Sequence, residues 1–109
     1  YEASKGGQLG MMRGLALDLG KYNIRVNAVL PGMTATEAVE KHLSDNFKNL
    51  FMRHIPLGRM GLPEEIAEAV CYFASDASTY TTGQILTVSC GFGLATPVYG
   101  DFAHKDSKR

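Results

Sequence analysis

Two short strand-like runs, separated by a long stretch of helical pattern, constrain this chain more than any other feature. Asn23-Ile24-Arg25-Val26-Asn27-Ala28-Val29-Leu30 reads as a strand closed by Pro31-Gly32, and Gly83 to Ser89 reads as a second. Ile85, Leu86 and Val88 form a nearly continuous apolar series, which implies burial on both faces. Strands joined through helices pair in parallel, because parallel neighbours need a long crossover rather than a hairpin. A parallel pair needs further strands beside it and layers over both faces. The fold class is therefore α/β, with a sheet whose other strands are not in the sequence. The isolated chain is expected to fold poorly.

The helical pattern comes in three stretches. From Glu2 to Leu19 the residues are mainly good helix formers, with Leu9, Met12, Ala16 and Leu19 on one face at spacings of three and four. Gly6, Gly7 and Gly10 each cost about 1 kcal/mol against Ala inside a helix, which close approach of another backbone or a ligand would offset. Gly20 is a natural stop. Thr36 can cap a second helix with Glu37 in its first turn, running through Ala38, Val39, Leu43, Phe47 and Leu50 to about Arg53. Residues 56–61 are a loop. Pro63, followed by Glu64 and Glu65, opens a third helix that reaches Ala74 or Ser75. Beyond Gly91 no period is evident, and the chain ends in charges.

Composition excludes several functions. Eleven basic and eleven acidic residues balance, with no basic stripe interleaved with aromatics, so neither nucleic acid nor an anionic membrane is indicated as a partner. No apolar run approaches the roughly 20 residues that span a bilayer, and no signal pattern opens the chain. Cys71 and Cys90 form no Cys-x-x-Cys unit, which fits a reducing compartment, and a cytoplasmic location is the default. His42, His54 and His104 lack the spacings of a metal site, so no metal is expected. Tyr1 stands where an initiator Met would be and leads directly into a helix, so more chain is expected before it.

Tyr1 and Lys5 lie four residues apart, on one face of the first helix. A lysine beside a phenol favours the phenolate. At an effective dielectric near 20, an ion pair at about 4 Å contributes up to ~4 kcal/mol, enough to bring a phenol that titrates near 10 down toward neutrality. Such a tyrosine exchanges protons near pH 7. With five tyrosines in the chain, a chance Tyr-x-x-x-Lys arises in about three such chains of ten, so the pair alone decides nothing.

The surrounding blocks decide more. Tyr1-Glu2-Ala3-Ser4-Lys5, Ile24 to Gly32, Pro56-Leu57-Gly58-Arg59-Met60-Gly61-Leu62-Pro63-Glu64-Glu65-Ile66-Ala67, and Asp76 to Leu86 together resemble the short-chain dehydrogenase/reductase family in content, order and spacing. The resemblance runs from residue 1 to about residue 93. It implies the C-terminal part of a Rossmann-type doubly wound parallel sheet, with two strands and about three helices present, followed by a tail over residues 94–109. It further implies an oxidoreductase that moves a hydride between NAD or NADP and a secondary alcohol or ketone, working as a homotetramer.

By the same resemblance, Tyr1 is the general acid/base and Lys5 both lowers its pKa and holds the nicotinamide ribose. Pro31 and Gly32 correspond to the loop against the nicotinamide. Backbone groups of Met33 and Thr34 and the Thr36 hydroxyl are candidates for the carboxamide or phosphates, although a helix cap explains Thr36 equally well. Asn27, polar in an apolar strand, calls for hydrogen-bond partners and a structural role. Arg59 is expected to pair with an acidic residue of its own subunit. Met52, Met60 and the phenylalanines read as core before they read as substrate contacts.

The family's glycine-rich phosphate turn, its ribose selector and its catalytic serine all precede the tyrosine and are not in this sequence, so this chain by itself is expected to be inactive. Where the family's last strand ends in Val-Asp-Gly-Gly, this chain has Val88-Ser89-Cys90-Gly91, which puts the local turn in doubt. The run from Gly91 to Gly100 resembles the ends of some bacterial hydroxysteroid (bile-acid) dehydrogenases, and Phe47, Leu50 and Met52 would suit an apolar ligand or a core. A 3-oxoacyl carrier-protein reductase and a non-catalytic assembly piece are the alternatives.

Overall fold

A computed structural model describes residues 2–91, with Tyr1, residues 92–109 and the side chains of Glu2, Ala3 and Lys5 outside the described residues. The tail over 94–109 therefore lies outside them too. The elements run α1 (Glu2–Leu19), β1 (Ala28–Pro31), α2 (Glu37–His42), α3 (Asp45–Arg53), α4 (Pro63–Ala74) and β2 (Ile85–Val88). The strands form a two-stranded sheet. Ala28 N–H donates to Gln84 O at 2.9 Å and Gly32 N–H to Val88 O at 3.0 Å, so partner numbers climb together and the pairing is parallel, as expected.

The chain divides into two compact units, one holding the residues through Leu30 with Ala67–Thr87, the other Pro31–Ile66 with the chain from Val88 onward. In the first unit α1 buries the predicted face, with Met12 and Ala16 buried and Leu9 and Leu19 half-buried. Leu17, off that face, is 84% exposed. A Cβ on Gly6, Gly7 or Gly10 would meet nothing within 4 Å, so the expected close approach is not made by the described chain.

β1 is shorter than the predicted strand because residues 23–27 spend their hydrogen bonds elsewhere. Asn23 turns left-handed, with φ 60°. Val26 N–H donates to the Thr82 hydroxyl at 3.1 Å. Asn27 donates from Nδ2 to Thr81 O at 3.1 Å and accepts at Oδ1 from Gln84 N–H at 3.0 Å, which gives it the expected structural role. Arg25 reaches the end of α4, donating to Phe73 O at 2.9 Å, Ser75 O at 3.2 Å and the buried Ser78 hydroxyl at 2.7 Å. The Ser78 hydroxyl also donates to Phe73 O at 3.0 Å and Ser75 O at 3.3 Å, so the guanidinium joins a shared network that satisfies the carbonyls after α4. β2 is not buried on both faces: Leu86 is 40% exposed and Thr87 is exposed.

In the second unit the predicted single helix over 36–53 is two helices. Leu43 adopts extended backbone, and Ser44 caps α3 by accepting from Phe47 N–H at 3.2 Å. Ser44-Asp45, a cap followed by an acidic first turn, carries this start signal in the sequence. Lys48 is buried at 7% exposure and ties α3 to α2 through Glu40 at 3.3 Å. Ile55 is buried beyond α3. The third helix begins at Pro63, as its signals require.

Candidate functional site

The site grows from the carboxyl end of β1. Pro31 ends the strand, and Gly32 follows because the chain at Ser89 crosses it closely. A Cβ at Gly32 would lie 2.8 Å from both Ser89 Cα and Cβ, a distance that side chains do not tolerate. After Gly32 the chain makes one isolated parallel bridge, Thr34 to Gly61. Gly61 N–H donates to Met33 O at 3.0 Å, and Ala35 N–H donates to Gly61 O at 2.8 Å. Thr36 N–H donates to Thr34 O at 2.8 Å, and the Thr36 hydroxyl then caps α2 by accepting from Val39 N–H at 3.3 Å.

Pro31, Gly32, Met33, Thr34 and Thr36 line one cavity of about 460 Å³, together with Val39, Leu43 and Phe51. The five residues singled out in the sequence as this loop's cofactor contacts are thus brought to one concave surface. Tyr1 lies outside the described residues. Lys5 is on α1, but its side chain lies outside them, so the geometry of the Tyr1–Lys5 pair is not described.

The loop keeps several polar groups that the chain itself does not use. Among the described residues, the Ala35 and Thr36 amides are spent within the chain, whereas the Met33 and Thr34 N–H groups have no partner. The Thr34 hydroxyl donates to Gly32 O at 3.0 Å and keeps its lone pairs. Since the Thr36 hydroxyl accepts in capping, its own proton is free to be donated. A cavity whose lining combines two residues with unspent backbone donors, two hydroxyl residues and the apolar Val39, Leu43 and Phe51 suits a flat heteroaromatic ring carrying an amide. The residues present fit a nicotinamide group.

Sequence reasoning missed Phe51 and named Phe47, Leu50 and Met52 instead. Phe47 is 50% and Leu50 61% exposed, so neither is core, and Met52 lines a different cavity of about 330 Å³ with Asn49, Arg53 and Gly58. The break at Leu43–Ser44 resets the helical phase, which brings Phe51 rather than Phe47 to the cavity that Val39 and Leu43 line.

Arg59 pairs with Glu65, as expected of an acidic partner in its own subunit, at 2.7 Å and 2.8 Å. The hydrogen bond from Arg59, with a second from Leu62 N–H, lowers the Glu65 carboxyl from the usual 4.5 to about 2. The same bond, and the carboxylate charge, raise the Arg59 guanidinium further above its already high value. Among the described residues no cluster of His, Cys, Asp and Glu could hold a metal ion, and no helix is long and apolar enough to cross a membrane.

A family described as enoyl-(acyl carrier protein) reductase matches residues 1–93. The chain is 45% identical over 102 residues to a 7α-hydroxysteroid dehydrogenase of Clostridium sardiniense, covering 94% of this chain and 39% of that protein. That alignment is longer than the family match, so it takes in part of the tail. Among solved structures, a 3-oxoacyl-[acyl-carrier protein] reductase from Brucella melitensis superposes with a TM-score of 0.82 at 35% identity, over 87% of this chain and 35% of that one. A 4-hydroxyisoleucine dehydrogenase mutant complexed with NADH and succinate superposes with a TM-score of 0.81 at 29% identity, over 86% of this chain and 39% of that one. The chain spans about two fifths of the length of the curated relatives it matches.

Proposed function

This chain belongs to the short-chain dehydrogenase/reductase family of oxidoreductases, and from that premise we propose that it is the acid/base and nicotinamide-loop portion of an NAD(P)-dependent enzyme acting on a secondary alcohol or ketone. The observation that carries this reading is the single cavity lined by Pro31, Gly32, Met33, Thr34 and Thr36, with the Met33 and Thr34 amides unspent. Bound nicotinamide supplies or accepts the hydride. Tyr1 donates a proton to the carbonyl oxygen in reduction and takes one from the hydroxyl in oxidation, so each turnover moves one hydride and one proton. Lys5, four residues on, favours the phenolate and holds the ribose hydroxyls. The Met33 and Thr34 N–H groups and the Thr36 hydroxyl orient the carboxamide or phosphates, and the apolar wall keeps water from the ring. In the cell we expect this work to be done by a cytoplasmic homotetramer.

For the substrate we favour a hydroxysteroid. The similarity to a 7α-hydroxysteroid dehydrogenase extends into the tail, and Val39, Leu43 and Phe51 give the cavity an apolar side. A 3-oxoacyl thioester is the second reading, favoured by the likeness to a solved 3-oxoacyl reductase. The test is an assay of the complete subunit with 7α-hydroxysteroid and with 3-oxoacyl thioester, each with NAD(H) and NADP(H). Steroid oxidation supports the first reading, thioester reduction alone selects the second, and turnover of neither contradicts both.

A further inference from the structure

Arg59 and Glu65 do not line the cavity, yet they are coupled to it through the chain. Arg59 donates from Nη1 to Glu65 Oε1 at 2.7 Å and from Nη2 to Oε2 at 2.8 Å, a two-pronged pair. The same Nη1 donates to Met60 O at 3.1 Å, and Leu62 N–H donates to Glu65 Oε1 at 2.9 Å. Both neighbours of Gly61 are therefore fastened to one ion pair. Gly61 holds the loop in turn, since its N–H donates to Met33 O and its carbonyl accepts from Ala35 N–H.

The geometry of the peptide bond completes the connection. Met33 C=O and Thr34 N–H belong to one planar trans unit and point in opposite directions. Anchoring Met33 O on Gly61 thereby sets the direction of the Thr34 N–H, which has no partner among the described residues. We propose that the Arg59–Glu65 pair is a positioning device for the nicotinamide loop: it holds Gly61, and Gly61 aims the Thr34 amide. The inference rests on the nicotinamide reading of the cavity. The bland account of the same pair is a brace at the start of α4, where Glu65 reaches back to the Leu62 amide.

The two accounts separate in cofactor affinity. Arg59→Met removes the pair, Arg59→Lys keeps the charge without the two prongs, and Glu65→Gln keeps an acceptor for Leu62 N–H while weakening the link to Arg59. In the complete subunit, titrating NADH by its fluorescence well below the unfolding temperature should show Kd rising about three- to tenfold in Arg59→Met and Glu65→Gln, and less in Arg59→Lys. The kcat at saturating NADH should change less than Kd does. Kd within about twofold of wild type in Glu65→Gln, whatever happens to Tm, would overturn the inference and leave only the brace. Glu65→Gln decides the matter even if Arg59→Met fails to fold. A wild-type subunit that bound neither NADH nor NADPH would overturn the nicotinamide reading itself, and this inference with it.

Discussion

Cys90 holds a φ of 57°, in the left-handed region where a Cβ is strained. The family pattern has glycine at the corresponding place, which accounts for the turn doubted from the sequence: it forms, at a cost of about 1 kcal/mol. Cys90→Gly should therefore raise Tm in the complete subunit, by a few degrees, and an unchanged or lower Tm would contradict this. Gly32 is the opposite case. Its Cβ would overlap Ser89, so Gly32→Ala should destabilise by about 1–3 kcal/mol in urea and weaken NADH binding. Glu65 gives a pH dependence. Its folded value lies below its unfolded one, so its contribution to stability is complete above about 4.5 and is lost as pH falls toward 2. The difference in urea midpoint between wild type and Glu65→Gln should shrink from about pH 5 to about pH 2.5. Several of these roles were legible in residue type alone: Asn27 and Arg59 each needed partners and have them. The requirement for Gly32 was not, because Ser89 lies far away in sequence.

The helices show why local signals succeed and where they fail. α1 and α4 follow from an apolar face and from Pro63-Glu64-Glu65, signals that lie within one or two turns. The second helix was read as continuous because Val39, Leu43, Phe47 and Leu50 keep a helical spacing through the break. Ser44 interrupts it by capping α3, and Ser44→Ala should cost about 1 kcal/mol of stability. Arg25 escapes the sequence reading, since its partners Phe73, in the last turn of α4, and Ser75 and Ser78, just beyond it, lie about fifty residues away. Arg25→Met would remove one donor from these carbonyls and from the buried Ser78 hydroxyl, which keep their bonds to one another, at about 1 kcal/mol. Denaturant midpoints of the two variants check both values. β1 lost half its predicted length for the same reason: the bonds that residues 26 and 27 make go to Thr81, Thr82, Gly83 and Gln84, which no local pattern shows.

At the scale of the whole molecule, a two-stranded parallel sheet with Leu86, Leu15, Val70 and Tyr72 exposed has apolar surface left uncovered. Parallel strands are stable when both faces are covered. The 109-residue chain alone should therefore show no cooperative thermal transition and should not reduce carbonyls. A sharp transition with a monomeric sedimentation profile would contradict the first expectation, and measurable turnover the second. The proposed function turns on the phenol of Tyr1. Tyr1→Phe in the complete subunit tests it most directly: the account predicts kcat lower by about 10²- to 10⁴-fold with NADH affinity nearly unchanged, and a kcat equal to that of wild type would contradict it.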